Sequence, residues 1–359
     1  MADCWYKKCA RNNHTGDKEV ALAVDSNRKD QALKTILLSR GEIERQLSMT
    51  EVLQVVENAF RLKAQGKAVM PCKIYLDLPQ YKGDFRAMPA YIDGSAGMKW
   101  VSVYPDNRQY NLPAVMALII LSDPKDSYPL AIMDGTHITN MRTAAAGGVA
   151  VKYLARKNSS VIGMIGAGKQ AETQLLAINE VLPEIKEVKV FSLSLEMSQK
   201  FAREMGNRVG LNIRPVEAVE AAADADVVVT TTYATSPVVL NRHIKPGTHI
   251  NAIGADAEGK QELEAALLSG ARVVVDDLEQ ACHSGEINVP LSRGQFKVED
   301  IYCSLGEVVA GMKKGRENDN EITVFDSTGL AIQDIVCAKL VYDKVRNKEV
   351  PAFDFFALD

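Results

Sequence analysis

One stretch constrains this chain more than any other: Val161-Ile162-Gly163-Met164-Ile165-Gly166-Ala167-Gly168-Lys169-Gln170-Ala171. An apolar, strand-like run leads straight into G-x-G-x-x-A, and helix-forming residues follow. Gly166 admits a tight turn, Gly168 lets the backbone approach a pyrophosphate, and Ala171 permits close packing of helix on strand. The helix that starts there offers unpaired N–H groups to an anion. A bare G-x-G pattern is weak evidence, but a strand before it and a helix after it point to a dinucleotide site. Gly166, Ala167, Gly168, Lys169 and Gln170 are therefore expected to hold the cofactor.

The rest of the chain supplies a setting for that turn. From Ser159 onwards strands and helices alternate (Val161–Ile165, Val188–Phe191, Asp226–Thr232, His249–Gly254, Arg272–Asp276), which predicts an α/β fold with a Rossmann-type parallel sheet. Before it, Ile74–Leu78, Phe85–Pro89, Gly97–Val103 and Val115–Leu121 read as a meander of short strands. Ser48 and Glu51 form a capping box opening a helix with Val52, Val56, Ala59 and Phe60 on one face, ended by Gly66. A long helix over Thr139–Ala155 contains Gly147 and Gly148, each weakening it by about 1 kcal/mol relative to Ala. Close helix packing explains them as well as room for a cofactor or a domain junction does. Ile322–Phe325 reads as a last strand, and Gly329–Asn347 as a helix apolar almost all round, hence deeply buried.

Composition narrows the function. The 359 residues carry 42 Lys plus Arg against 46 Asp plus Glu, a net charge of −4, so no general electrostatic reason exists to bind nucleic acid. Ala114–Leu121 and Val273–Val275, the longest apolar runs, are too short to span a bilayer. The six cysteines, at 4, 9, 72, 282, 303 and 337, form no CxxC pair, and reduced thiols in a cytoplasm are the simpler expectation. Cys4, Cys9 and His14 match no zinc template, so no metal is expected. Residues 1–34 are polar and without periodicity, and read as a flexible tail.

Ligands of open parallel sheets lie beyond the carboxyl ends of the strands. Thr231 and Thr232, Asn251 to Asp256, and Ser327 stand there. Asp256 is either a general base facing a nicotinamide or a turn residue before a helix beginning near Lys260. The acid that reads the ribose should follow Ala171 by about 20 residues, which leads to Ser192. With no carboxylate and no arginine there, NAD and NADP both remain open. In the first half, Arg86, Lys99 and Arg142 are cations set in apolar segments, each either paired or binding an anion. Three of them in a chain with a dinucleotide turn suggest a pocket for a carboxylate.

Gly83-Asp84-Phe85-Arg86-Ala87-Met88-Pro89, Gly97-Met98-Lys99-Trp100-Val101 and Met141-Arg142-Thr143-Ala144-Ala145 resemble the ornithine cyclodeaminase/mu-crystallin family. So do His249 to Asp256 and Phe325-Asp326-Ser327-Thr328-Gly329-Leu330-Ala331. The resemblance spans about residues 35–350. It implies an α+β substrate and dimerisation domain built from both chain ends (35–143 and 321–359) around a Rossmann domain (144–320), and a homodimer. It also implies that Lys99 and Asp256 are catalytic, and that Arg86, Lys99 and Arg142 bind substrate. Ser192, Thr231, Thr232 and Ser327 join the turn residues as the expected cofactor contacts.

Within the family the chain resembles members that deaminate L-alanine oxidatively. In the cyclodeaminases a Glu just before Met-Pro receives the distal ammonium of ornithine, whereas this chain has Arg86-Ala87. Like charges about 4 Å apart cost about 4 kcal/mol at an effective dielectric of about 20, which disfavours ornithine. The expectation is an NAD- or NADP-dependent dehydrogenase interconverting a small amino acid and its 2-oxo acid. Its rivals are a cyclodeaminase, a reductase of cyclic imines such as pyrroline-2-carboxylate, and a mu-crystallin-like protein that binds NADPH and a small ligand without turnover.

Overall fold

The computed structural model describes residues 34–182 and 184–357. The tail expected over 1–34, with Cys4, Cys9 and His14, lies outside the described residues except for Lys34. Residues 34–355 form one compact unit.

In its first part, β1 (Thr35–Leu38) leads to α1 (Arg40–Gln46) and α2 (Met49–Ala64). Ser48 caps α2 by accepting from the Glu51 N–H, and Val52, Val56, Ala59 and Phe60 are buried on one face, as expected. There follow β2 (Ala68–Val69), β3 (Ile74–Leu78), β4 (Gly83–Ile92), β5 (Ser95–Val103), β6 (Val115–Ser122) and β7 (Pro129–Asp134). With β18 (Ala352–Phe353) they make an eight-stranded mixed sheet in the order β18-β1-β7-β6-β5-β4-β2, with β3 also on β4. β7 was not foreseen: Pro129 and the flanking turn residues mask its alternation. Then α3 (Thr136–Leu154) crosses to the second layer.

The second part runs β8 (Val161–Ile165), α4 (Lys169–Val181), β9 (Glu187–Phe191), α5 (Leu195–Val209), β10 (Ile213–Pro215), α6 (Val219–Ala223) and β11 (Val227–Thr230). It continues with β12 (Thr235–Val239), β13 (His249–Ala252), β14 (Gln261–Leu263), α7 (Ala265–Ser269), β15 (Arg272–Val275) and α8 (Leu278–Ser284). α9 (Asn288–Ser292), β16 (Ile301–Ser304), α10 (Leu305–Val309), β17 (Thr323–Asp326) and α11 (Ala331–Val345) complete it. Eight strands form a sheet in the order β10-β9-β8-β11-β13-β17-β15-β16, every pair parallel. The order reverses direction between β8 and β11, the switch point where such sheets bind ligands. β17, grouped from sequence with the chain-end domain, pairs with β13 and β15 in this parallel sheet.

Alternation along the meander sends side chains to two faces. Arg86, Met88, Lys99 and Val101 are buried on the inner face, where α11 packs across β4, β5 and β6. On the outer face Ile74, Leu76, Trp100, Leu118 and Ile120 are exposed, in register across β3, β4, β5 and β6, with Phe85 stacked on Trp100.

The two glycines of α3 have a packing role. A Cβ on Gly147 would sit 2.1 Å from Gln174 Oε1 and 2.9 Å from Asn251 Nδ2, and one on Gly148 would crowd Leu53 and Ala177. Gly147 thus lets α3 lie against both α4 and β13. Gly147→Val should overpack this junction and lower stability by about 1–3 kcal/mol, read as a fall in thermal midpoint with the circular-dichroism spectrum otherwise retained.

Candidate active site

The turn after β8 has the features that a pyrophosphate needs. Gly166 has φ +113°, and a Cβ there would collide with Thr231 Oγ1 at 2.4 Å. Around Gly168 a Cβ would meet nothing within 4 Å, so its backbone faces open space. No side chain caps α4, which leaves its first N–H groups to an anion. Ala171 is fully buried against the sheet. Gln170 reaches back to Asn140 Oδ1 (3.0 Å), while Lys169 points outward and pairs with Glu172 at 2.8 Å. At the end of β9, Ser192 Oγ donates to Ser194 O (2.8 Å) and accepts from Ser194 N, closing a local turn with no carboxylate in it. These residues fit a dinucleotide.

Beside the turn lies a cleft whose lining includes Gln170, Thr231, Thr232 and Ser327 together with Arg86, Lys99, Arg142 and Asp256. Every predicted substrate and catalytic residue therefore meets there. The Ser327 hydroxyl is buried without a partner among the described residues, an orphan suited to a polar ligand. Ser192 is not among the lining residues of this cleft.

The cations are more heavily paired than the sequence suggested. Asp84 grips Arg86 with two bonds, Nε to Oδ1 at 2.6 Å and Nη2 to Oδ2 at 3.1 Å. Its remaining Nη1 reaches Asp256 Oδ2 at 3.2 Å, and the guanidinium lies 5.3 Å from the Tyr75 ring centroid. Lys99 and Arg142 share Asp334, at 2.7 and 2.9 Å. Gly329, at φ +80°, leaves room for Arg142, since a Cβ would lie 2.4 Å from Nη1.

Two further lysines complete the lining, Lys73, which donates to Thr328 O at 2.5 Å, and Lys260, 2.5 Å from Asp256 Oδ1. Asp256 precedes no helix at Lys260: a turn over 257–260 leads into β14 instead, and the carboxylate before that turn is held from both sides by Arg86 and Lys260.

Protonation follows from these surroundings. Burial raises Asp256, but Lys260 and then Arg86 outweigh it and hold the carboxyl well below its usual range. Burial, reinforced by the charge of Arg142, pushes Lys99 down to about 7 despite Asp334. Burial and the nearby Arg86 push Lys73 down to about 8. Asp256 is thus ionised at neutral pH, and Lys99 exchanges a proton near it.

Behind the cleft, buried carboxylates hold the loops. Glu262 accepts from Thr230 Oγ1, Thr232 N, Thr232 Oγ1 and Gly254 N at 2.6–2.8 Å. Asp276 accepts from Thr328 N, Thr328 Oγ1 and Gly329 N, and Asp326 from the N–H groups of Glu286 and Ile287. Sequence reasoning missed all of these, and Lys73, Lys260 and Asp334 as well. Only the partner of an apolar-segment cation was foreseeable in kind, and Asp334 sits in a helix read simply as buried. Among the described residues no group of three or more His, Cys, Asp or Glu is arranged to hold a metal, and no helix is long and apolar enough to cross a membrane.

The family model for ornithine cyclodeaminase/mu-crystallin proteins matches residues 33–349. The chain belongs to this family. An alanine dehydrogenase of Archaeoglobus fulgidus is 52% identical over 89% of this chain and 97% of its own length. A solved archaeal alanine dehydrogenase dimer with bound NAD superposes with a TM-score of 0.87 at 52% identity, over 90% of this chain and all of that one. The Thermococcus litoralis Δ1-pyrroline-2-carboxylate reductase, in complex with NADH and L-proline, gives 0.84 at 43% identity over 87% and 98%. Family membership thus joins a chain with this cleft to nicotinamide-dependent dehydrogenases and reductases.

One buried carboxyl gives a pH test. Burial, with help from Asp276 and Glu262, pushes Asp326 up to about 8. Its folded-state value lies above the unfolded one of about 3.9, so its stabilisation is complete below pH ~4 and is lost as pH rises towards 8. The thermal midpoint should fall between pH 5 and 7, and Asp326→Asn should flatten that slope. An unchanged slope would remove Asp326 from the effect.

Proposed function

We propose that the protein catalyses the reversible, NAD-dependent oxidative deamination of L-alanine to pyruvate and ammonia. The observation that carries this reading is the convergence, beside a dinucleotide turn, of five lining cations (Lys73, Arg86, Lys99, Arg142, Lys260) with one lining carboxylate, Asp256. Such a cleft suits an amino acid with a single carboxylate and no second ammonium. A distal ammonium would meet like charge at a cost of about 4 kcal/mol per close pair. The identity to an alanine dehydrogenase supports the same substrate.

The cofactor, when bound, accepts a hydride from the substrate Cα. Arg142, whose Nη2 has no hydrogen-bond partner among the described residues, receives the carboxylate together with Lys73 and the Nη1 edge of Arg86. Holding the substrate in one orientation supplies a large part of the rate. Asp256, already ionised, exchanges one of its ion pairs for the substrate ammonium, takes its proton and releases it to solvent. The freed carboxylate then takes a proton from the water attacking the iminium and returns it to the departing ammonia. Lys99 donates to the oxygen as charge develops on it. Glu262 keeps Thr232 and Gly254, and through them the Asp256 loop, in place.

A second reading, reduction of a cyclic imino acid, draws on Met88, Val101, Val103 and Val115, which give the cleft an apolar wall able to take a ring, and on the Thermococcus relative. The exposed apolar face of the meander sheet supports a homodimer. Cys303 and Cys337, both buried and unbridged, agree with a reducing cytoplasm.

The deciding assay follows reduced nicotinamide with pyruvate plus ammonia, with ornithine and with pyrroline-2-carboxylate. Ammonia-dependent oxidation of NADH with pyruvate is expected; consumption only with the cyclic imine would establish the second reading. Asp256→Asn should bind NADH normally by fluorescence yet lose about 10²–10⁴ in kcat. Ser192 leaves a 2′-phosphate unopposed, so NADP is accepted too. Ser192→Asp should weaken NADPH relative to NADH by about tenfold or more through like-charge contact, measured as dissociation constants.

A further inference from the structure

Asp334 stands on α11, near the end of the chain, and its carboxylate is wholly buried. One oxygen faces Lys99 Nζ at 2.7 Å and the other accepts from Arg142 Nε at 2.9 Å. We propose that Asp334 is a positioning residue that couples the carboxylate grip of Arg142 to proton exchange at Lys99. The inference rests on the reading of Lys99 as a group acting on substrate, and it gives the C-terminal helix a part in the reaction.

The geometry leaves each cation one working edge. Asp334 holds Arg142 by Nε and Gln333 Oε1 backs Nη1 at 3.3 Å, so the guanidinium plane is set and Nη2 is the edge left over. Lys99 is 1% exposed and touches Thr139 Oγ1 at 3.4 Å. The charges facing it are Arg142 from α3, Lys73 from the segment before β3, and Asp334 from α11. Cys337, one turn beyond Asp334, is buried with its thiol pushed up by burial and by that carboxylate, so it stays neutral.

Two cations therefore depend on a single anion, and their proton and ligand equilibria are linked. A substrate carboxylate docking on Arg142 offsets part of the guanidinium charge against Lys99, which favours the ammonium form. Binding then draws a proton to Lys99, and product release returns it. A counter-ion with a purely structural role would change stability without moving any proton equilibrium.

The experiment compares wild type, Asp334→Asn, Asp334→Glu and Lys99→Met in pH profiles of kcat/KM and kcat with pyruvate and ammonia. In wild type the limb belonging to Lys99 should lie near pH 7 in kcat/KM and higher in kcat, which reports the bound complex. Asp334→Asn should move it down by about one unit or more. Because that variant strands two buried cations, Asp334→Glu serves beside it: the charge is kept and displaced by one methylene. Its limb should stay in place while KM for the oxo acid rises about tenfold.

A readout without turnover is proton uptake on pyruvate binding, measured calorimetrically at pH 7.5 in buffers of different ionisation enthalpy. Uptake is expected in wild type and should vanish in Asp334→Asn. A wild-type limb in Asp334→Asn, a wild-type KM in Asp334→Glu, or undiminished uptake without Asp334 would overturn the proposal. If Lys99→Met retains full rate, the catalytic reading of Lys99 falls together with it. If Lys99→Met is inactive while both Asp334 variants behave as wild type, the coupling alone is lost.

Discussion

Charge buried between two sheets is the constraint on which this structure turns. Lys99 and Arg142 are almost wholly buried at the wall of the cleft, and a buried charge persists only when paired and hydrogen-bonded. Asp334 meets that requirement for both at once. Arg86 meets it through Asp84 and Asp256, and Asp256 in turn through Lys260. The cleft is thus a chain of alternating signs in which the ligand-facing edges are what is left after mutual satisfaction.

Buried acids help to hold the loops that shape this cleft. Glu262, Asp276, Asp326 and Glu286 are all buried: the first three gather backbone N–H groups from loops around the cleft, and Glu286 accepts from Glu262 and Leu263 of β14. Irregular backbone close to a ligand cannot satisfy itself through a ladder, so side-chain acceptors take over that work. Burial pushes all four carboxyls upward, Asp326 to about 8 and Glu286 well above its ordinary value. Loop order and protonation are joined for that reason.

Much of this was legible beforehand, for reasons that differ by residue. The glycine turn carries its meaning locally, because φ at Gly166 and open space at Gly168 are properties of a few consecutive residues. Arg86, Lys99 and Arg142 betrayed themselves as charges in apolar runs. Their partners did not: Asp334 and Lys73 look ordinary in their own segments and acquire a role only through contacts made far along the chain. Short strands such as β7, β10, β12 and β16 were missed because a few residues with Pro or bulges give too little period to read. The helix expected near Lys260 gave way to β14, where Gln261 and Leu263 pair with β12.

The placement of α11 bears on how the molecule is made. Arg142 and Asp334 are 192 residues apart in sequence, and α11 also covers the inner faces of β4, β5 and β6. During synthesis the meander sheet emerges with Lys99 lacking its anion Asp334 and with its apolar inner surface bare, and it stays so while the whole parallel sheet is translated. Contacts of such long range make closure late and slow. The nascent chain therefore carries an incomplete first layer through most of its elongation, and only the last long helix closes it.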